Sequence, residues 1–414
     1  MDLGSYGRVL SSLEAQLNRM YRQGKLEDSW QALIKQVNGL FNDHSQNNAA
    51  QERRDLSARP QNHAKGWSPL TEADLKAASR YWFPVHAFGY NWLQGADDTG
   101  KALAQRIRDV IGNYAGQGYA CSKVILVTHS VGGLVARAAC HPKVGGAEKS
   151  VLGVVQGASP TAGAPALYQR MRTGHAKGIF LEFVKNKMAE IMGADAAQVT
   201  PVLGNSPGAL ALLPTAAYPA GWLAIDGAEA LPKANPYAEI YQERHAWWRL
   251  VREELLNPAK NGNPGQSKWD EYLEILDKSE FLHMKTLGNT HHTNTYAHYS
   301  TAPDDEAVAG VRWRYLTNGL NRTAPTEPAQ LVQDNLKGDV RVRAADGISH
   351  SFELKRTGRT KGDGTVPSVS AAVSDNPARF SAALGIRFDH ADSYEHPDVL
   401  ALTLHNITRM AAQA

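Results

Sequence analysis

The sequence predicts an α/β fold built on a mostly parallel, doubly wound sheet, and three observations carry that prediction. Lys123–His129 (KVILVTH) is a continuous β-branched run, the pattern of a strand buried on both faces. Helical spacing flanks it, with Leu103, Ile107, Val110 and Ile111 before it and Ser130 to Cys140 (SVGGLVARAAC) after it. Val151–Gln156 is a second buried run. With Tyr81–His86 read as an extended apolar strand, residues 79–157 alternate strand, helix, strand, helix, strand, which is the order of parallel crossover units.

The other elements follow in order. Residues 5–42 carry helical spacing, with Leu10, Leu13, Leu17 and Met20 on one face and Trp30, Leu33, Ile34 and Val37 on another. Residues 43–66 are polar and broken and read as a loop or linker. Thr71 to Ala78 reads as a short helix capped by Thr71, with Asp74 three residues on. Helical stretches over Gly178–Met192, Pro236–Leu256 and Ser267–Met284 interrupt the alternation. Asp339–Arg343 and Ser349–Lys355, joined through Asp346-Gly347, read as a β-hairpin. A last helix spans Asp398 to Ala411. The organisation predicted is an N-terminal helical extension over 1–78, a core over 79–166 and 311–414, and a helical insertion over 167–310.

Composition bounds the function. The chain has 414 residues, enough for one enlarged domain, with 43% hydrophobic and 21% charged residues. Lysine and arginine exceed aspartate and glutamate by 44 − 41, a formal charge of +3, too small to suggest a nucleic-acid partner. No apolar run is long enough to span a bilayer. The opening MDLGSYGRVLSSLEAQ lacks the basic-then-apolar layout of a secretory signal, so synthesis in the cytoplasm without a cleaved leader is expected. Two cysteines, Cys121 and Cys140, cannot make a disulfide framework and lack the company of a metal site.

The chemistry concentrates at Thr128-His-Ser-Val-Gly-Gly133, where a buried strand runs directly into a helix. A serine at such a turn is held in a strained conformation with its hydroxyl above the sheet edge. Gly132 and Gly133 supply room; Thr128 stands where a smaller residue is usual, which predicts a slightly wider strand–helix contact. The helix N-terminus favours an oxyanion beside Ser130, with the Val131 amide as one donor. The second donor is expected from the loop after the preceding strand, at Tyr90 or alternatively Gly89. Alternation along the strand aims His129 away from Ser130, as a packing residue. This context is that of an α/β-hydrolase, in which an acid and then a histidine follow the serine. Gly362-Asp-Gly-Thr-Val-Pro367 offers Asp363 as the acid. Of the later histidines, His405 lies within the last helix, while His390 and His396 share a loop; His390 is preferred as base and His396 is the alternative.

The chain resembles lipases and esterases related to lecithin:cholesterol acyltransferase and to the inositol deacylases of lipid-anchor remodelling, and more closely the bacterial lipase effectors of type VI secretion. The stretches that carry the resemblance are FGYNWLQG (88–95), VILVTHSVGGLVAR (124–137), GASPTAGAP (157–165), NSPGALALLP (205–214), GDGTVP (362–367) and FDHADSY (388–394). It implies Ser130 as nucleophile, Asp363 as acid and His390 as base. It also implies a phospholipid or other acyl-ester substrate at a membrane surface, no required cofactor, a structural calcium ion without assignable ligands, and an immunity protein and secretion apparatus as partners. Export would then lead to the periplasm or membrane of a target cell. A separate reading makes residues 1–66 a docking module for a secretion apparatus or immunity partner. A small-ester esterase, an acyltransferase or an inactive binding scaffold of the same fold are the alternatives. The apolar face of Gly178–Met192 reads as a lipid-facing lid or a buried cap helix, and Trp247 and Trp248 as site-lining or packing residues.

Overall fold

The computed structural model describes residues 3–51, 64–65, 67–175, 193–260, 267–288, 290–316, 329–372, 380–385 and 387–414. The expected helix over Gly178–Met192 lies outside them. At the N-terminus, α1 (Leu3–Leu17) and α2 (Asp28–Gln51) are separated by a two-stranded ribbon, β1 (Tyr21–Arg22) and β2 (Lys25–Leu26). Its turn places Gln23 and Gly24 at φ 50° and 77°, the paired left-handed residues of a type I′ turn. The helical region expected over 5–42 is therefore two helices, and the second runs on into the stretch read as a loop. Leu13, Leu17, Trp30, Leu33 and Val37 are buried together, so both helices pack on the core.

After β3 (Ala64–Lys65), α3 (Glu72–Ala78) carries the expected reciprocal cap. The Asp74 amide donates to Thr71 Oγ1 at 3.1 Å, and the Thr71 amide donates to Asp74 Oδ2 at 2.7 Å. Tyr81–His86 forms no strand. Pro84 has no amide hydrogen to give a ladder, and both main-chain groups of Phe83 are taken by the Asn18 side chain at 2.8 and 2.9 Å. The predicted alternation holds from there: α4 (Ala96–Gly116), β4 (Val124–His129), α5 (Gly132–Cys140) and β5 (Val151–Gly157), followed by α6 (Ala166–Thr173).

The rest of the chain supplies β6 (Leu223–Ile225), β7 (Thr295–Ser300), β8 (Ala302–Tyr315), β9 (Gln330–Asp334), β10 (Asp339–Arg343), β11 (Ser349–Gly362) and β12 (Phe380–Leu384). One sheet runs β3–β12–β7–β5–β4, with β12, β7, β5 and β4 parallel and β3 antiparallel to β12. Helices cover both of its faces. Leu103, Ile107, Leu134 and Val135 of α4 and α5 meet Val154 on one face. On the other, α1, α2, α3 and the C-terminal helix Pro397–Ala412 meet Val155. Adjacent residues of β5 thus point to opposite faces, the period-two rule of a strand. β4 stands last in the order among the described residues and is only half-buried, with Val127 38% exposed, where a strand buried on both faces was expected.

The second sheet runs β6–β8–β11–β10–β9. It includes the hairpin expected at 339–355, whose turn has Gly347 at φ 82°. β7, within the insertion expected over 167–310, lies in the first sheet, while β9, β10 and β11, within the core expected over 311–414, lie in the second. The physical reason is visible in the side chains. Val311, Trp313, Phe352 and Leu354 are buried while Arg312 and Lys355 are exposed, the alternation of a sheet with one wet face. β7 is buried throughout although Thr295, His298 and Ser300 are polar, so it lacks an apolar run. Pro236–Leu256 is not a continuous helix but a π-helical turn at Tyr237–Tyr241 and a 3₁₀ turn at Glu253–Leu255. The Glu239 carboxylate accepts from the amides of Lys233, Ala234 and Asn235 at 2.6, 2.8 and 2.7 Å, fixing the chain that leads into the first of these turns. The stretch expected over Ser267–Met284 is a helix, Lys268–Glu280, capped by Ser267 and continued by a π-helical segment to Leu287. Among the described residues no helix is long and apolar enough to cross a membrane.

Candidate active site

The elbow takes its shape from three constraints. Ser130 sits at φ 54°, a left-handed conformation that costs a residue with a β-carbon roughly 1–2 kcal/mol. Its amide donates to Gly157 O at 3.0 Å and its carbonyl accepts from the Gly133 amide at 3.0 Å, so both ends of the turn are anchored. A β-carbon at Gly133 would lie 2.4 Å from Ser159 Oγ and 2.8 Å from Ser159 Cβ, so no larger residue fits there. Thr128 faces the first turn of α5. Its Cβ lies 3.5 Å from where a β-carbon on Gly132 would be, and its hydroxyl donates to Val155 O at 3.3 Å.

Asp363 follows the last residue of β11. Gly364 at φ 81° turns the chain, and Asp363 Oδ1 accepts from the amides of Thr365 and Val366 at 3.1 and 2.7 Å. The other oxygen is left for His390, whose Nδ1 donates to Asp363 Oδ2 at 2.8 Å. His390 Nε2 stands 2.9 Å from Ser130 Oγ. The amide of His390 also donates to Asp363 O at 3.1 Å, so main chain and side chain of the two residues are tied together. Residues 130, 363 and 390 therefore converge, with the Asp363 side chain 2% and the His390 side chain 14% exposed. A carboxylate only accepts, so Nδ1 carries the hydrogen and Nε2 is the acceptor facing the hydroxyl.

The alternative histidines lie elsewhere. His396 Nδ1 accepts from the Asp398 amide at 3.3 Å, capping the C-terminal helix. His405 is buried in that helix, bonded to Asn406 and to Ser68 O. His129 is packed, as expected, but not inertly. Its ring centroid is 4.8 Å from that of His390, and its Nε2 is 2.7 Å from His390 O. Burial first, and the neighbouring His390 second, push its pKa down to about 4.

Tyr90 comes to the elbow too. Its hydroxyl oxygen lies 3.6 Å from where a β-carbon on Gly132 would be, and burial raises its pKa to about 12. The loop expected to furnish the second oxyanion donor thus borders the first turn of α5. Tyr394 closes the floor, donating to Thr128 O at 2.7 Å and lying edge-on to His298 at 5.5 Å. Sequence reasoning passed over Tyr394 and Tyr6, whose hydroxyl meets His129 Nδ1 at 2.7 Å. Trp247 packs rather than lining this site, with its ring 5.3 Å from Trp313 and 4.6 Å from Phe352. Among the described residues no three His, Cys, Asp or Glu side chains are grouped to hold a metal ion, and both cysteines are free.

The arrangement can move a proton from a hydroxyl to an imidazole whose charge a buried carboxylate then balances, the requirement for nucleophilic acyl chemistry. Comparison with known proteins agrees with the architecture. A family model described as a PGAP1-like alpha/beta domain matches residues 96–198, the stretch from α4 through the elbow and beyond β5. No curated protein matches in sequence. Among solved structures, the chain is similar to one in the crystal structure of the Tle4–Tli4 complex, with a TM-score of 0.75 and 25% identity, covering 98% of this chain and 80% of that one. By its sheet order, its strand–elbow–helix turn and these likenesses, the chain has the fold of an α/β-hydrolase.

Proposed function

We propose that the chain is a serine lipase that cleaves acyl esters of membrane phospholipids. Ser130 Oγ attacks the ester carbonyl while His390 Nε2 takes its proton, and Asp363 holds the resulting imidazolium through Nδ1–H. The amides of Val131 and Tyr90 face the oxyanion of the tetrahedral intermediate. His390 then gives the proton to the leaving alcohol, and a water molecule, activated by the same histidine, releases the fatty acid. No bound cofactor enters these steps. The observation that carries the reading is the pair of distances at His390, 2.9 Å to Ser130 and 2.8 Å to Asp363. They lie within the range that proton transfer requires.

The same likenesses support a biological setting for this activity. A chain that resembles type VI lipase effectors, and a member of the Tle4–Tli4 complex over 98% of its length, is read as a secreted antibacterial enzyme. It would act in the target-cell periplasm or at its membrane and be held inactive at home by an immunity protein. The test is lipid mass spectrometry on phosphatidylethanolamine–phosphatidylglycerol vesicles. Wild type should release fatty acid and lysophospholipid, and Ser130→Ala should release neither. Cleavage of short p-nitrophenyl esters with intact vesicles would instead favour a small-ester esterase.

A further inference from the structure

The turn that carries His390 is held from below by residues far from it in the chain. Its amide is fixed by Asp363 O. Its carbonyl is met by His129 Nε2 at 2.7 Å, and His129 Nδ1 is met by the Tyr6 hydroxyl, also at 2.7 Å. The direction of these bonds is determined. A carbonyl only accepts, so Nε2 carries the hydrogen; a neutral imidazole then accepts at Nδ1, and Tyr6 donates. Burial depresses the pKa of His129 and keeps it neutral at ordinary pH, which this order of bonds needs. A cationic ring 4.8 Å from His390 would oppose the imidazolium formed during acyl transfer.

We propose that Tyr6 and His129 are positioning residues for the base, pinning the main chain at His390 so that its imidazole stays in register with Ser130 Oγ. The inference rests on the reading of Ser130, Asp363 and His390 as the catalytic triad. It assigns α1 a task inside the active centre, where the sequence suggested only a docking extension. A second contact points the same way: Arg8 of α1 reaches Glu395 at 3.3 Å, across the turn that follows His390. That pair is exposed and holds little by itself, whereas the hydrogen-bonded chain ends on the base's own carbonyl.

The tests use the full chain, with p-nitrophenyl butyrate as soluble substrate and a fluorophosphonate probe to report the reactivity of Ser130. His129→Phe keeps a ring and removes the donor; His129→Gln returns an N–H near the place of Nε2; Tyr6→Phe removes one exposed-helix hydroxyl. Misplacement of a reacting group by about 1 Å costs up to 10²-fold, so His129→Phe should lower kcat roughly 10- to 100-fold with KM unchanged and slow probe labelling in proportion. His129→Gln should recover most of that loss. Tyr6→Phe should lower kcat about 3- to 10-fold, the scale of one hydrogen bond, without a change in Tm. The proposal is overturned by a wild-type kcat in Tyr6→Phe, or in a folded His129→Phe. It is equally overturned if His129→Gln is as slow as His129→Phe, since ring packing and not donation would then be what matters. Failure of the triad reading is distinct: wild type would hydrolyse the ester without labelling at Ser130, or Ser130→Ala would stay active, and both readings would fall together.

Discussion

Asp363 and Asp334 are aspartates whose side chains are 2% and 3% exposed, and each stands at the end of a strand of the second sheet. Asp363 lies just beyond β11, where that sheet returns the chain to the first. Its partners are two amides and an imidazole. Asp334 ends β9 at the far side, with one oxygen on the Leu336 amide at 2.7 Å and the other on Arg172 at 3.1 Å. The Arg172 guanidinium itself lies 5.2 Å over the Trp313 ring. The difference is in the partner. An imidazole can take a proton from a hydroxyl and give it back, with the carboxylate balancing the charge it carries meanwhile, so the first pair can serve a reacting group. A guanidinium stays charged, so the second pair can only hold α6 against the sheet.

Substitution should separate the two tasks. Asp363→Asn keeps the shape but leaves His390 without its anion; by analogy with triads elsewhere we expect kcat to fall about 10⁴-fold with the urea midpoint little moved. Activity within tenfold of wild type would remove Asp363 from the mechanism. Asp334→Ala leaves the Arg172 charge buried and unpaired, so it should cost about 3–5 kcal/mol of stability while kcat per folded molecule stays the same. Urea unfolding reads this directly, and an unchanged midpoint would deny the pair its structural role.

A third expectation concerns pH and spans both regions. Burial lowers the pKa of His129, His175, His283 and His405 to about 4, of His298 to about 3 and of His291 to about 2. In the unfolded chain these groups titrate near 6.5. Between pH 6.5 and about 4 the unfolded chain therefore binds protons that the folded one refuses, and stability falls as pH falls. It is fully present above pH 6.5. Each such histidine contributes on the order of 1 kcal/mol per pH unit across that window. Thermal melts from pH 7.5 to 4.5 should show a steep drop in Tm; a level or rising Tm would contradict the burial of these rings as neutral species.

What the sequence made legible was local. The elbow is a contiguous pattern of buried strand, small residues and helix, and GDGTVP and FDHADSY are turns whose chemistry lies within a few residues. Chain order then selected Asp363 and His390. What escaped was set by long-range pairing or by burial of polar groups. Nothing near Tyr6 announces a contact with His129, 123 residues away. β7 carries Thr295, His298 and Ser300 in a fully buried strand, and so resembles a loop to any reading that follows hydrophobicity. β8 and β11 alternate in the way antiparallel strands do, yet their membership of a separate sheet depends on partners that local spacing does not name.

The left-handed backbone of Ser130 has an evolutionary corollary. At φ 54° the fold would be more comfortable with glycine, which has no β-carbon to crowd the turn. Selection for robustness and selection for turnover therefore pull in opposite directions at this one position. A lineage released from the need to cut esters would be expected to lose this hydroxyl early, and to melt at a higher temperature for having done so.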